Sequence, residues 1–222
     1  MKRAGLLAIP ALLLLCLAGW ALVQEANPFL AGSGPISGRI NTMIGGSRVL
    51  GLSSSAQNAF LFDCLAGVPS LEARMLAPAL ATRLKTRCRQ GAESVIAATP
   101  VNSFAWAALA DLARLDGDLE TMNSALVMSQ AIGPSELWIA ERRVDIAEAN
   151  YANLSAEAIA ANTADLRVVA SSYIAVRSVA LRYLVRPDFR DRITAIVETL
   201  PPHIQSRFIA NVNAVMRGAP QR

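Results

Sequence analysis

Apolar and polar residues follow a helical period through residues 100–138, and this stretch predicts two helices joined by a tight turn. In the first half, six apolar side chains recur at three- and four-residue spacing on one face: Phe104, Ala105, Trp106, Leu109, Leu112 and Ala113. Asn102 or Ser103 can cap the start of this helix. Gly117 can take the left-handed conformation that ends it, and Asp118 can cap the next. Gly133-Pro134 then stops the second helix, so the pair is expected to pack antiparallel.

The spacing of two prolines adds a repeat period to this pattern. Pro100 and Pro134 are 34 residues apart, the period of the tetratricopeptide repeat. With Trp106 at the aromatic position of that repeat, Gly117 falls at its turn, so the stretch resembles a tetratricopeptide repeat. It departs from the repeat pattern at Ala113, Met122 and Ser129. The resemblance implies an all-α stack of helix hairpins; an ordinary antiparallel helix pair is the alternative.

A stack of this kind would have a groove lined by the first helix of each hairpin. Asn102, Trp106 and Trp138 are then the candidate contacts for a partner protein. The alternative interpretation places both tryptophans in the core, because repeat tryptophans usually pack between helices.

The helical pattern extends over residues 55–217, which we assign to one helical domain, with 218–222 as a tail. On the N-terminal side, Ser70 can cap a helix that Pro78 is expected to kink or interrupt, because proline removes a backbone hydrogen bond. On the C-terminal side, Ser155 can cap a short helix ending at Ala161. Thr163 can cap a long helix over 164–185, and two amphipathic helices follow.

The first 23 residues predict a membrane anchor. Lys2 and Arg3 precede an uncharged run of 20 residues, 4–23, which is long enough to cross a hydrocarbon core of roughly 30 Å. A cleaved signal is the alternative, but the run is longer than a typical signal core and no small-residue cleavage site follows it. The positive-inside rule predicts a single-pass protein of the inner membrane, with its N-terminus cytoplasmic and its domain periplasmic.

Residues 24–54 are rich in Gly and Ser and show no sustained helical period, which predicts a flexible tether. The segment also contains more aliphatic residues than solvated linkers do, including Ile36, Ile40, Met43 and Ile44. The alternative is therefore a segment that orders against a partner.

The composition and net charge limit the fold classes and partners that the chain can have. The chain is 53% hydrophobic and 5% aromatic, with Ala and Leu dominating, which is typical of helices. Of the formal net charge of +4, Lys2 and Arg3 contribute two, so the exported part carries only +2. This charge is too small to predict a nucleic-acid partner.

Two local groups of residues could carry binding or cross-linking. Arg83, Lys85, Arg87 and Arg89 are either a solvated helix face or a contact for anionic lipid headgroups or acidic polysaccharide. Cys64 and Cys88 are an even pair in an oxidising compartment. A straight hairpin would hold them about 25 Å apart, so a disulfide requires the chain to fold back at Pro78. Two buried thiols are the alternative.

The sequence favours a protein that is not an enzyme and has no cofactor. His203 is the only histidine, which excludes a multi-histidine metal site; it follows two prolines, where we expect a surface residue rather than a member of a histidine triad. Glu136, Glu141 and Glu148 lie on one predicted helix, but carboxylates on a helix face are usually solvated charge.

Three strings carry a wider resemblance that covers roughly residues 60–215: PVNSFAW, SQAIGP…LWIAERRV and DFRDRITAIVETLP. They resemble a group of short single-pass proteins of Gram-negative bacteria associated with surface-polysaccharide gene clusters. The resemblance implies a fold and a context but no mechanism. Together with the predicted anchor and helix hairpins, it leads us to expect a membrane-anchored periplasmic scaffold that binds a protein of an envelope assembly. Direct binding of acidic glycan and a helical hydrolase are the alternatives.

Overall fold

The protein is all-helical throughout the part that the computed structural model describes, residues 2–218, with side chains from residue 9 onward. The helices are α1 (Lys2–Gly32), α2 (Ile36–Gly45), α3 (Ser54–Gly67), α4 (Leu71–Arg74), α5 (Pro78–Ala98), α6 (Ser103–Asp116), α7 (Leu119–Ile132), α8 (Leu137–Ala149), α9 (Ala156–Ser171), α10 (Val176–Val185), α11 (Pro187–Glu198) and α12 (Pro202–Met216), with a 3-10 turn at Tyr151–Asn153. The side chains of Lys2 and Arg3, on which the orientation rule depends, and tail residues 219–222 lie outside the described residues.

The chain forms two compact units, Met1–Leu115 and Asp116–Arg222, which we call unit 1 and unit 2. In unit 1, α1 packs on α3, and α2 packs on both α3 and α5. The most deeply buried large side chains of this unit come from α2, α3, α5 and α6: Ile40, Met43, Leu61, Leu84 and Phe104.

The segment expected to be a flexible tether is mostly helical. α1 continues to Gly32, and α2 occupies Ile36–Gly45. Ile40 and Met43 of α2 are each 1% exposed. Enough apolar side chains are present for α2 to bury one face against α3 and α5, and this burial orders residues that a Gly- and Ser-rich composition would leave mobile.

The predicted interruption at Pro78 is present. Ser70 caps α4, its Oγ accepting a hydrogen bond from the Ala73 amide at 3.1 Å. The helix ends after one turn, and Pro78 begins α5 at a position where its missing N–H costs no hydrogen bond.

The central stretch forms helices where the pattern predicts them. Asn102 caps α6, and Gly117 has the left-handed conformation with φ of 75°. Asp118 caps α7, accepting a hydrogen bond from the Thr121 amide at 3.1 Å. Because α6 belongs to unit 1 and α7 to unit 2, the tetratricopeptide-like stacking of this pair stays a prediction.

In unit 2, α9 packs on α7 and α8, and α10 packs on α11 and α12. The core contains Val144, Leu166, Val169, Val176, Phe189, Ile193 and Phe208. The predicted helix boundary at residues 162–163 is wrong: α9 runs through it, and Thr163 Oγ1 donates to the Ile159 carbonyl instead of capping. The break comes at Ser172, whose Oγ accepts a hydrogen bond from the Ala175 amide at 3.1 Å in the turn before α10.

Only α1 qualifies by itself, over Ile9–Gly32, as a helix long and apolar enough to cross a membrane, within the described part of the chain. A signal sequence shares these properties. α9 and α10 qualify only when joined, although they are bent by 113°. Since Leu166, Val169 and Val176 of that pair lie in the core of unit 2, its apolarity is explained by packing.

Candidate functional site

The junction between α1 and the rest of unit 1 is made by polar side chains that directly follow the apolar run. Glu25 Oε2 accepts hydrogen bonds from the amides of Leu52 and Ser53 at 3.1 and 3.0 Å. Asn27 Oδ1 accepts from the Val49 amide at 3.2 Å. These bonds tie α1 to the loop before α3, so no free tether separates the apolar helix from the folded unit.

A buried charge cluster lies beside this junction. The Arg48 side chain is fully buried, and its Nη2 donates to the Pro28 carbonyl of α1 at 2.9 Å and pairs with Asp63 of α3. Arg39 of α2 pairs with the same Asp63 carboxylate at 2.5 Å. Two arginines therefore share one carboxylate, which leaves one positive charge of the cluster uncompensated.

Arg48 also has unused hydrogen-bonding capacity. Its Nε and Nη1 are buried and have no hydrogen-bond partner. Burial lowers the pKa of Arg48, and the charge of Asp63 acts against this effect. An arginine titrates so far above neutrality that the group stays a cation under all ordinary conditions. A buried cation with unsatisfied donors carries a desolvation cost that its pairing with Asp63 offsets only in part.

Arg48 lines an open pocket of about 390 Å³ in unit 1. One side is largely apolar and includes Met43, Val49, Leu50 and Phe60; the other is the polar face of α5, with Arg87, Gln90 and Ser94. The Arg48 guanidinium carbon lies 6.0 Å from the centre of the Phe60 ring. Because the Arg48 side chain has no exposed surface, the pocket combines an apolar wall with one accessible arginine, Arg87 of α5.

The two helices that hold the pocket are joined covalently. Cys64 of α3 and Cys88 of α5 form a disulfide with Cα atoms 5.5 Å apart. The break before Pro78 lets α5 fold back beside α3. A Cys64–Cys88 disulfide requires this change of direction, because a straight hairpin would hold the two cysteines too far apart. At Gly91 an added β-carbon would overlap the edge of the Phe60 ring, so this glycine permits the close approach of α3 and α5.

The four basic residues of the sequence analysis do not form one patch. Arg83 and Arg87 are four residues apart on one face of α5, while Lys85 and Arg89 lie on another. Arg89 pairs with Glu93 at 3.2 Å, and Lys85 also has an interaction partner. Arg83 and Arg87 are exposed, and only Arg87 lines the pocket.

The three candidate partner contacts have different environments. Asn102 caps α6 and donates to Asn58 Oδ1 at 3.1 Å, which accounts for its polar groups within unit 1. Trp106 is partly exposed, and its Nε1 donates to the Pro100 carbonyl at 2.9 Å. Trp138 belongs to unit 2 and is 46% exposed. Of the three, Trp138 is the most accessible to a partner.

Unit 2 also contains a buried charged residue, Arg143, but each of its guanidinium nitrogens has a hydrogen-bond partner. Arg143 pairs bidentately with Asp165 at 2.6 and 2.7 Å, and its remaining donors reach Ser129 Oγ and the Gly133 carbonyl. Burial raises the pKa of Asp165, against the hydrogen bonds and charge of Arg143. This network links α7, α8 and α9 and explains Arg143 without a ligand.

The three glutamates of the hydrolase alternative do not share one environment. Glu136 stands at the cap position of α8. Glu148 is 2% exposed and pairs with Asn162 and Arg192, both at 2.6 Å. Burial and the nearby charge of Asp145 raise the pKa of Glu141. In the described part of the chain, no three His, Cys, Asp or Glu residues are grouped as a metal site would require.

Arg48, Asp63 and Arg39 belong to no motif in the sequence that predicts a site. One signal could have pointed to the arginines: Arg39 and Arg48 are the only charged residues between Glu25 and Asp63. Isolated charges in an apolar segment that folds must either be exposed or be paired.

No family model, curated protein or solved structure matches the chain.

Proposed function

We propose that this protein is a membrane-anchored, non-enzymatic adaptor that binds a protein partner of an envelope assembly outside the cytoplasm. α1 is the anchor, with its N-terminus in the cytoplasm, and the rest of unit 1 and all of unit 2 lie in the periplasm of a Gram-negative cell. Tetratricopeptide-like stacking of the hairpins and a link to surface-polysaccharide assembly belong to the same proposal.

The observation that carries the proposal is the junction at Glu25, Asn27 and Pro28. These residues directly follow the apolar run and bind the loop before α3. An anchor connected in this way would hold unit 1 at the membrane surface, as an adaptor for a membrane assembly requires. The Cys64–Cys88 disulfide supports an oxidising compartment.

The partner surface is proposed in unit 2, around exposed apolar side chains. Trp138 is 46% exposed, and Tyr173 and Ile174, between α9 and α10, are 83% and 79% exposed. Aromatic residues with large exposed area are enriched at protein interfaces.

Two measurements test the proposal. Alkaline phosphatase fused to the C-terminus should be active and green fluorescent protein fused there should be dark; the reverse result would place the domain in the cytosol and reject the proposal. A photo-crosslinking residue at Trp138 or Tyr173 of the anchored protein should give one discrete product with another envelope protein. The same probe at exposed Glu157 is the control. Equal products at all three positions would reject the partner surface.

Direct binding of an acidic glycan is the second candidate, and the exposure of Arg83 and Arg87 on one face of α5 favours it. The double variant Arg83→Glu/Arg87→Glu should abolish binding to an acidic polysaccharide in a pull-down. Unchanged binding would eliminate this candidate.

A further inference from the structure

The last third of α1 is buried on one side only. All residues from 9 to 20 of this helix are exposed, and partial burial begins after them. The residues that face the rest of unit 1 recur at three- and four-residue spacing: Ala21, Glu25, Pro28 and Gly32. Pro28 is buried, and an added β-carbon at Gly32 would lie 3.0 Å from Asp63 of α3. The rest of unit 1 therefore packs on one face of α1.

The opposite face of the same segment is apolar and exposed. Its four large side chains are between 50% and 72% exposed: Leu22, Val23, Phe29 and Leu30. Ala26 lies between them on the same face, so no polar side chain interrupts the row. We call these five residues the outer stripe. Because Leu30 is seven residues after Val23, the stripe extends the apolar run by about two helical turns.

The only charged residue of segment 24–32 is bound on the side of unit 1. Glu25 accepts hydrogen bonds from the amides of Leu52 and Ser53 and from the Ser53 hydroxyl. A carboxylate close to hydrocarbon is costly unless hydrogen bonds compensate it. These three bonds hold the Glu25 carboxylate at the loop before α3, so the outer stripe can contact lipid without bringing a free charge with it.

The length of α1 favours a tilt toward the outer stripe. Its apolar part, Ile9–Gly32, has 24 residues. This length is about 36 Å, whereas a hydrocarbon core is about 30 Å thick, and a tilt of about 35° would remove the difference. Tilting toward the outer stripe turns the stripe to the lipid and the face that carries unit 1 to water. A tilt in the opposite direction would press the polar surface of unit 1 into the bilayer.

The side chains of the outer stripe favour lipid over a second copy of the helix. Helix pairs in membranes usually meet through small residues, which let the two backbones approach closely. The stripe instead presents Leu, Val and Phe, with Ala26 as its only small residue. Large apolar side chains of this kind are typical of lipid-facing positions and of helices that lie in the membrane interface.

We infer that the membrane-binding surface of this protein continues past residue 23 along the outer stripe to Leu30, so that the bilayer holds unit 1 by a defined side. The inference rests on the proposed function only in taking α1 as a membrane helix, and it does not need the protein partner.

α3 provides a control position far from the bilayer. It runs in the same direction as α1, since Ser53 before its start binds Glu25 and Asp63 further along lies beside Gly32. With 14 residues, α3 is about 21 Å long. Leu71, just beyond its far end, is 63% exposed and therefore lies well away from the stripe.

The experiment places a nitroxide spin label at Leu14→Cys, Leu30→Cys or Leu71→Cys of the full chain. The Cys16→Ser background leaves the Cys64–Cys88 disulfide in place, and the chain is studied in nanodiscs of phosphatidylethanolamine and phosphatidylglycerol. All three positions are at least 59% exposed, so the labels replace no core side chain. Oxygen concentrates in hydrocarbon and a water-soluble nickel chelate is excluded from it. We expect the ratio of oxygen to nickel accessibility at Leu14 and Leu30 to exceed that at Leu71 by about threefold or more.

The outcomes separate this inference from the anchor itself. A Leu14 label as accessible to nickel as Leu71 would reject the anchor and the inference together. A lipid-exposed Leu14 label with a water-exposed Leu30 label would overturn the inference alone. A Leu30 label shielded from both reagents would also overturn it, because a second copy or a protein partner would then cover the stripe.

A pair of charge variants tests the stripe with a label at Phe29→Cys. Ala26→Asp places a carboxylate in the stripe and should lower the oxygen-to-nickel ratio at Phe29 by about threefold or more, because an ionised group is expelled from lipid. Leu71→Asp is the matched control and should leave this ratio unchanged. Equal ratios in the two variants would overturn the assignment of the outer stripe to lipid.

Discussion

Among the described residues, each unit buries one arginine, and the two differ in how completely they are paired. Arg143 of unit 2 uses all three guanidinium nitrogens, on Asp165, Ser129 and Gly133. Arg48 of unit 1 uses only Nη2, and its carboxylate partner is shared with a second arginine. Arg143 belongs to a closed network inside a helix bundle, whereas Arg48 lies in a partly satisfied cluster with Pro28 of α1 and Asp63 of α3.

This difference separates a buried charge whose donors are all satisfied from one whose donors are only partly satisfied. A buried ion pair with every donor satisfied mainly fixes how helices pack, and it needs nothing more. A buried cation with unused donors and surplus positive charge keeps an electrostatic cost in the folded state. Burial alone would not distinguish Arg48 from Arg143; the hydrogen-bond partners do.

Replacing each buried arginine in turn should give the largest loss of stability, and it tests directly whether Arg48 and Arg143 differ. Arg143→Met leaves Asp165 buried and unpaired and should reduce the opening free energy of α9 amides in hydrogen exchange by about 3–5 kcal/mol. Arg48→Met should cost less in α3, about 1–3 kcal/mol, because Asp63 keeps Arg39.

The control for this comparison is Arg143→Met/Asp165→Leu, which removes both charges and should recover most of the loss. Equal costs at Arg48 and Arg143 would mean that the two clusters are equivalent in the fold, against the distinction drawn between them.

The disulfide gives a second test of how the two units differ, because among the described residues only unit 1 contains one. Cys64→Ala/Cys88→Ala should lower the opening free energy of α3 and α5 amides by about 2–4 kcal/mol, since the bond closes a loop of 24 residues' separation. Hydrogen exchange measures this residue by residue. Cys16→Ser is the control and should leave the opening free energies unchanged. If the double cysteine variant lowered the opening free energy of α8 and α9 amides by the same amount, the units would not open separately.

Gly91→Ala tests how closely the pocket helices must approach. The added methyl would overlap the Phe60 ring, and we expect a cost of about 1–3 kcal/mol in thermal or urea unfolding of the full chain in detergent. Gly45→Ala in α2 is the matched helical control, because nothing lies within 4 Å of its β-carbon, and it should be neutral or stabilising by up to about 1 kcal/mol. Similar effects at both positions would contradict the close packing of α3 on α5.

The smallest expected effect concerns Glu141 in unit 2. Because burial and Asp145 raise its pKa in the folded state, the ionised carboxylate destabilises the fold above that pKa, and this penalty disappears as the pH falls to the unfolded-state value. Glu141→Gln should therefore be slightly more stable than the natural chain at pH 7, by less than about 1 kcal/mol, and equal to it near pH 4. Urea midpoints across this range measure the difference; a variant that is less stable at pH 7 would reverse the sign.

Much of the helical framework could be predicted because its signals are local. The cap at Asn102, the left-handed Gly117 and the cap at Asp118 each depend on residues within one turn, and all three are present. Thr163 failed as a cap because its hydroxyl can equally donate to a carbonyl of its own helix, and nothing in the local sequence decides between the two roles.

The candidate site was less predictable because it is assembled from distant residues. Arg87 was singled out, but as part of a basic cluster that the helix divides between two faces. Arg48 and Asp63 are 15 residues apart in sequence, and Arg48 lies in a segment whose composition predicts a tether. That segment folds because α3 and α5 offer a surface on which α2 can bury Ile40 and Met43.

By itself, the sequence determined the helical class, most helix ends, the apolar N-terminal helix and the set of cysteines that can pair, since these follow from periodicity, caps and composition. The tertiary structure decided that Cys64 meets Cys88, that α1 is bound to unit 1 without a tether, and that Arg48 shares its carboxylate while Arg143 does not. These outcomes depend on which helices pack together, because packing brings distant side chains within a few ångströms and determines which buried charges are compensated.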